Sequence, residues 1–374
     1  MTEFKLPVST SGKPITHEKM ERLFTKNPPS MVTTAVVMRL QHLPIPEPST
    51  VRKLEEIGRQ AWLNGAQSIT YAHLSENSTT ATNFPLWIIT FWNKVLDMKD
   101  ITSRWIKSVD WVMAQLRQKK LEDRRMMAEQ AMINISALPW GVKKLRGLSD
   151  TEEIHTLWRY LGPNWLSCSS QNDLLEILRV QLSGDTQLKK FHVEGTRLSD
   201  KIIDIYTKRD TIQYLEDPSL KWVRTIANNL IKERATLVTV VNLTKVDGNP
   251  HWIPLGLAAD MEPVLFYGDS LGSDPPPELM KAFTWWMEQH NICNTVNASV
   301  NGLPIVASNL LNVQPIGIAS QTDGHACGVL ADNAISHFVD PIRYPLISGF
   351  PGDVIDQRLR LFNTVAAKII CRVS

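Results

Sequence analysis

The chain is 374 residues long, 43% hydrophobic and 21% charged. That length allows two or three domains, and the apolar fraction excludes a wholly disordered chain. Forty basic against thirty-eight acidic residues leave a net charge of +2, which removes any global electrostatic argument for nucleic acid or an anionic membrane.

The first residues, MTEFKLPVSTSGKPITHEKMERLF, carry charge from the third position onward and contain no apolar signal core. Apolar stretches such as Thr236–Leu243 are strand-sized, far short of a membrane span. The expectation is an intracellular protein with no membrane partner, nucleus and cytoplasm both open. Cys168, Cys293, Cys327 and Cys371 are scattered and form no CxxC pair. A zinc knuckle or disulfide framework is therefore not expected, and one thiol is free to be a nucleophile.

Residues 1–48 are loop-rich, punctuated by Pro28-Pro29 and Leu43–Pro48. Helical periodicity follows over Thr50–Asn64, Phe84–Leu96 and Ile101 to about Ile135, the last with an apolar stripe of Trp105, Val112, Leu116 and Met126. The polar run Arg117–Arg125 reads as a solvated helix face or as a nuclear-import or nucleic-acid patch. Trp87, Trp92, Trp105 and Trp111 are spaced for burial. Pro139-Trp140-Gly141 breaks the pattern, which divides the chain into a helical region, 1–145, of unassigned role and a second domain, 146–374.

The second domain opens with helical patterns at Asp150–Tyr160, Asn172–Leu182 and Pro218–Lys232. Strands rich in Val, Leu and aromatics are expected at Leu237–Leu243, Trp252–Leu257 and Val264–Tyr267. A further helix covers Glu278–His290. Helices, then a strand meander, then helix is an α+β order, not a βαβ repeat.

The segment Gln321–Phe338, QTDGHACGVLADNAISHF, carries the chemistry. Gly324 and Gly328 permit tight backbone on either side of Cys327, and the residues that follow have helical spacing. Cys327 then opens a helix, where unpaired amides and the dipole favour a thiolate. A buried structural cysteine is the other reading. His251 and Asp269 lie at equal distance from a turn near Asp260. Antiparallel pairing would place them at one sheet edge, within side-chain reach. There a carboxylate could orient an imidazole, although an exposed loop histidine beside a turn aspartate has the same pattern.

Taken together, His251-Trp252, Asp269-Ser270-Leu271 and Gln321 six positions before Cys327-Gly328 resemble the signature of ubiquitin-like protein-specific proteases, the SUMO-protease and adenain-like cysteine peptidases. The pair Trp165-Leu166 is similar to the element that opens that domain. The resemblance spans roughly Leu148 to Ser374. It implies a papain-like fold of the ubiquitin-like protease type with a mixed or antiparallel central sheet.

The resemblance further implies a Cys327 nucleophile, His251 as proton carrier, Asp269 orienting it, and Gln321 in the oxyanion hole. Trp165 and Trp252 would flank a tunnel for a Gly-Gly tail. The implied partner is a ubiquitin-like modifier, SUMO above all, and its conjugates. Ala326 stands where the family has Asp before the nucleophile, and Ser167-Cys168 where it has Asn-Asp. A pseudo-protease that binds a modifier without cleaving it is therefore an alternative, and a nucleic-acid-associated accessory protein ranks last. His325 reads as a bystander. No Gly-rich phosphate loop or metal-ligand cluster is evident, so neither cofactor nor metal is expected.

Overall fold

The computed structural model describes residues 17–40, 45–70, 82–118, 121–140, 148, 153–184, 190–248, 250–259, 263–290 and 311–373. The chain divides into two compact units, Met1–Ile106 and Lys107–Ser374. Residues 107–140, expected with the N-terminal region, thus lie in the second unit.

The first unit holds α1 (His17–Glu21), β1 (Phe24–Thr25), α2 (Thr33–Arg39), α3 (Pro48–Leu63), β2 (Ser68–Thr70), β3 (Asn83–Pro85) and the start of α4 (Trp87–Leu116). The strands form an antiparallel sheet in the order β1-β2-β3. Its core includes Val51, Leu54, Ile69, Phe84 and Trp92. The two helices expected over 84–96 and 101–135 are arranged differently. Phe84 belongs to β3, and α4 runs without interruption through 97–100, which contain neither Pro nor Gly. The break comes instead within the polar run, before α5 (Glu122–Ala137).

The second unit continues with a 3-10 helix at Ile154–Tyr160, within the helical segment expected from Asp150; Asp150 itself lies outside the described residues. Then come α6 (Cys168–Ser183), β4 (Phe191–Val193), α7 (Thr196–Thr207), a 3-10 turn at Pro218–Leu220 and α8 (Lys221–Glu233). The sheet follows with β5 (Thr236–Asn242), α9 (Thr244–Asp247), β6 (Trp252–Ala258) and β7 (Val264–Tyr267). Next are α10 (Pro277–Gln289), β8 (Asn312–Pro315), α11 (Cys327–Val339) and α12 (Pro351–Val373). Among these β4, α7, α9, β8 and α12 were not anticipated.

The five strands are ordered β4-β5-β6-β7-β8, antiparallel in the middle and parallel at both rims. The fold class is α+β, with a mixed sheet. Alternation along the strands gives it two apolar faces. Leu237 and Val241 of β5 and Ile253, Leu255 and Leu257 of β6 join one core, with Leu198 and Ile202 of α7, Leu230 of α8 and Trp286 of α10. Val238, Val240 and Trp252 join the other, with Leu175 of α6 and with Cys327, Ala331 and Ile335 of α11. Gly256 keeps this second face open to α11: a Cβ there would meet Phe338 at 3.4 Å and Phe266 at 3.2 Å.

Arg124 of the polar run is tied down between helices. Its Nε lies 2.6 Å from Asp356 Oδ1 and its Nη2 donates to the Gly352 carbonyl at 2.9 Å, joining α5 to α12. Lys119 and Lys120 lie outside the described residues. Among the described residues, no helix is long and apolar enough to cross a membrane.

Candidate active site

The hairpin β6-β7 brings His251 and Asp269 together, but not by direct opposition. Ala258 pairs with Val264 and Leu255 with Tyr267, a register centred one residue later than Asp260. Residues 260–262 themselves lie outside the described set. In this register Asp269 is the diagonal neighbour of His251, still within reach on one face of a twisted pair. His251 Nε2 lies 2.8 Å from Asp269 Oδ1, with both side chains at most 5% exposed. Asp269 Oδ1 also accepts from the Leu271 amide at 2.7 Å, and Oδ2 from the Tyr267 hydroxyl at 3.3 Å.

Cys327 begins α11 and is buried. As the first helical residue its N–H has no intrahelical acceptor and points outward with the positive end of the dipole. Cys327, like Asp269, is close enough to His251 to act on its charge. With Nε2 committed to the carboxylate, Nδ1 is the nitrogen left for the thiol. Burial opposes a charge on His251, yet the hydrogen bonds and charges of Asp269 and Cys327 outweigh it and push its pKa up to about 9. For Asp269, burial favours the neutral acid. The bonds from His251 and from the Leu271 amide prevail, and its pKa falls below the ordinary carboxylate value.

A consequence for stability follows from linkage. The folded pKa of His251 is raised from 6.5 to about 9, so its contribution is fully present below pH 6.5 and lost as pH rises through 9. The stability difference between wild type and His251→Ala in urea unfolding should shrink by about 3 kcal/mol between pH 6 and pH 9.5. A difference that stays constant across this window would contradict the ion pair.

Gln321 is anchored at three points. Its amide N–H donates to the Ser270 carbonyl at 2.7 Å, its Oε1 accepts from Ser270 Oγ at 3.0 Å, and its Nε2 donates to the Asp323 carbonyl. A carboxamide has two N–H donors, so one remains available beyond the Asp323 contact. Asp323 Oδ1 accepts from the amides of His325 at 2.8 Å and Ala326 at 2.7 Å, ordering the turn that leads into Cys327. Ser167 caps α6 by accepting from the Ser170 amide at 3.1 Å.

The two tryptophans have unequal environments. Trp252 is 2% exposed and packs in the core beside Cys327, while Trp165 is 39% exposed. The Trp252 indole N–H donates to the Leu166 carbonyl at 2.9 Å, which ties the Trp165-Leu166 segment to the sheet. Gln171 Nε2 donates to the Gly328 carbonyl at 2.9 Å from the α6 side.

Sequence reasoning did not single out Asp323 or Arg358. The D-G pair at 323–324 is a readable turn signal, but nothing local marks Arg358, which reaches the site from α12. Another feature of α11 is Asp332, whose pKa burial pushes up to about 7. That raised value disfavours the fold as pH rises from the ordinary carboxylate pKa through 7. Asp332→Asn is therefore expected to raise the urea midpoint at pH 8 while leaving it nearly unchanged at pH 4. An equal effect at both pH values would contradict a desolvated carboxylate.

No protein-family model matches the chain, and no curated protein matches it. Solved structures do. One is the SUMO protease Ulp1 with its catalytic cysteine oxidised to a sulfinic acid: 12% identity over 65% of this chain and 95% of that one, TM-score 0.43. A second is the Ulp1-like SUMO protease catalytic domain of Chaetomium thermophilum, 13% identical over 64% of this chain and 88% of that one, TM-score 0.43. A third is the C-terminal Ulp1 protease domain in complex with Smt3, the yeast ortholog of SUMO, 12% identical over 65% of this chain and 96% of that one, TM-score 0.41. The chain is thus similar to Ulp1-type proteases, at low sequence identity.

Proposed function

We propose that the chain is a cysteine peptidase that cleaves after the C-terminal glycine of a ubiquitin-like modifier, SUMO being the first candidate. The observation that carries this reading is the buried pair of His251 Nε2 and Asp269 Oδ1 at 2.8 Å, with the buried Cys327 acting on the charge of the same imidazole. In the proposed reaction Cys327 Sγ, as a thiolate beside the protonated imidazole, attacks the carbonyl carbon of the terminal glycine. The free N–H of Gln321 and the backbone N–H of Cys327 receive the developing oxyanion, an interaction often worth about 3 kcal/mol. His251 delivers its proton to the departing amine. It then takes a proton from the water that attacks the thioester and returns it to Sγ. Asp269 holds the ring in orientation and steadies its charge throughout. Trp165 and Trp252 are proposed to border the extended Gly-Gly tail.

The test is to react the full chain with C-terminal electrophilic probes built on SUMO, a Nedd8-type modifier and ubiquitin, and to map any adduct by peptide mass. A single adduct on Cys327 with one modifier supports the reading and names the substrate class. A folded protein that binds a modifier but forms no adduct with any probe would overturn it in favour of a binding module.

A further inference from the structure

Arg358 is 2% exposed, and a buried guanidinium ordinarily demands an anionic partner. Among the described residues none lies within ion-pair distance. Its Nη2 donates instead to the carbonyls of Asn164 at 2.7 Å and His325 at 3.0 Å, and its Nη1 to that of Arg159 at 3.3 Å. Its Nε is buried without a hydrogen-bond partner. An apolar side chain of the same length would avoid the buried charge but would leave these three carbonyls without their donor. A strained choice of this kind is expected where function needs it.

The three carbonyls say what the charge does. Asn164 immediately precedes Trp165, and His325 lies two residues before Cys327. One guanidinium therefore spans two of the chain segments that converge on the nucleophile. Burial works against the charge of Arg358, whereas the charges of Asp323 and Cys327 favour it. Its Nη2 holds the carbonyl two residues before Cys327, so the guanidinium charge sits beside the turn that presents the thiol.

We infer that Arg358 is a positioning residue: from α12 it fixes the spacing between the Trp165 segment and the Cys327 turn, and places a permanent positive charge behind the thiol. This rests on the peptidase reading for its role in turnover, but not for its effect on the thiol. The other ionisable groups near Cys327 are His251 with Asp269, and, in the preceding turn, Asp323 and His325. His325 Nδ1 lies 3.3 Å from Asp323 Oδ2 and 3.4 Å from Arg358 Nη2. Neutral or charged, it is part of the same cluster.

The experiment compares wild type, Arg358→Gln and Arg358→Lys of the full chain by the pH dependence of Cys327 alkylation with iodoacetamide. The rate of adduct formation with the reactive modifier probe and the melting temperature are measured alongside. Arg358→Gln should shift the half-maximal pH of alkylation upward by about one unit and slow probe reaction by about 100-fold. Arg358→Lys, which keeps the charge but cannot span three carbonyls, should restore the alkylation midpoint and leave probe reaction slowed.

A purely structural role would lower the melting temperature of Arg358→Gln without moving the alkylation midpoint, and that result overturns the inference. If Arg358→Gln does not fold, Arg358→Lys decides: probe reaction at the wild-type rate overturns it, and a slowed rate at an unchanged melting temperature supports it. A wild type that reacts with no probe but alkylates in an Arg358-dependent way would sink the peptidase reading alone.

Discussion

Cys327→Ala is expected to abolish adduct formation and to lower any modifier hydrolysis by at least about 10⁴-fold, with the fold intact. Every step of the proposed reaction passes through Sγ, and among the described residues Cys327 is the buried thiol. The other described cysteines, Cys168 and Cys371, are exposed, whereas Cys327 belongs to the buried cluster that holds Trp252. Removing one sulfur from that cluster leaves a cavity smaller than a methylene pair, so the stability cost is about 1 kcal/mol. The circular dichroism spectrum should be unchanged. Cys327→Ser should be almost as inactive, because a hydroxyl beside the same imidazole is far less ionised than a thiol. The deciding measurement is hydrolysis of a modifier C-terminal fluorogenic substrate by purified wild type and variant. Residual turnover within tenfold of wild type would place the nucleophile elsewhere.

Gly328→Ala is expected to lower both activity and stability, the activity less than Cys327→Ala does and the stability more. A Cβ at 328 would come 2.6 Å from Gln171 Nε2, 3.2 Å from Leu166 Cβ and 3.2 Å from Trp252 Cδ1. All three residues are buried. Gln171 cannot simply swing aside, since its Nε2 holds the Gly328 carbonyl at 2.9 Å. Leu166 and Trp252 are fixed to one another by the indole hydrogen bond. Relief requires α11 to back away from α6, which shifts the residue next to the nucleophile. Overpacking of this kind costs about 1–3 kcal/mol, and a displacement of about 1 Å at the reacting atom costs about 100-fold in rate. Thermal melting and probe reactivity together check this. A variant with wild-type melting and wild-type reactivity would mean that α11 is not held as tightly as these contacts require.

How much of this was readable in advance depends on how local the signal is. The strands β5, β6 and β7 appear in the sequence because their Val, Leu and aromatic runs are bounded by polar turns, and β7 falls at Val264–Tyr267 as expected. The start of α11 at Cys327 was readable from the periodicity that follows it. The hairpin register was not: a one-residue change in a turn's centre moves every pairing by two, and only the diagonal reach of His251 preserved the expected contact. β4 and β8 are three and four residues long, too short for alternation to show, and their parallel pairing is set by tertiary closure. Arg358 was invisible for a related reason. Its partners are carbonyls of residues 159, 164 and 325, and backbone acceptors leave no mark in a sequence. Trp252 illustrates ambiguity of another kind, since a core tryptophan and one lining a site have the same residue type and here one side chain packs beside Cys327.

The two apolar faces of the sheet have a bearing on protein engineering. The larger core, between β5–β7 and the helices α7, α8 and α10, contains neither Cys327 nor Trp252, and among its members only Tyr267 bonds Asp269. Residues such as Leu198, Val223, Leu230 and Phe283 therefore form a scaffold that can be redesigned for heat tolerance while the machinery on the opposite face is left alone. The usual conflict between robustness and activity arises where stabilising changes stiffen or fill a working site. Here the sheet itself separates the two tasks, and a library confined to the α7–α8–α10 side should yield hardier variants without a matching loss of turnover.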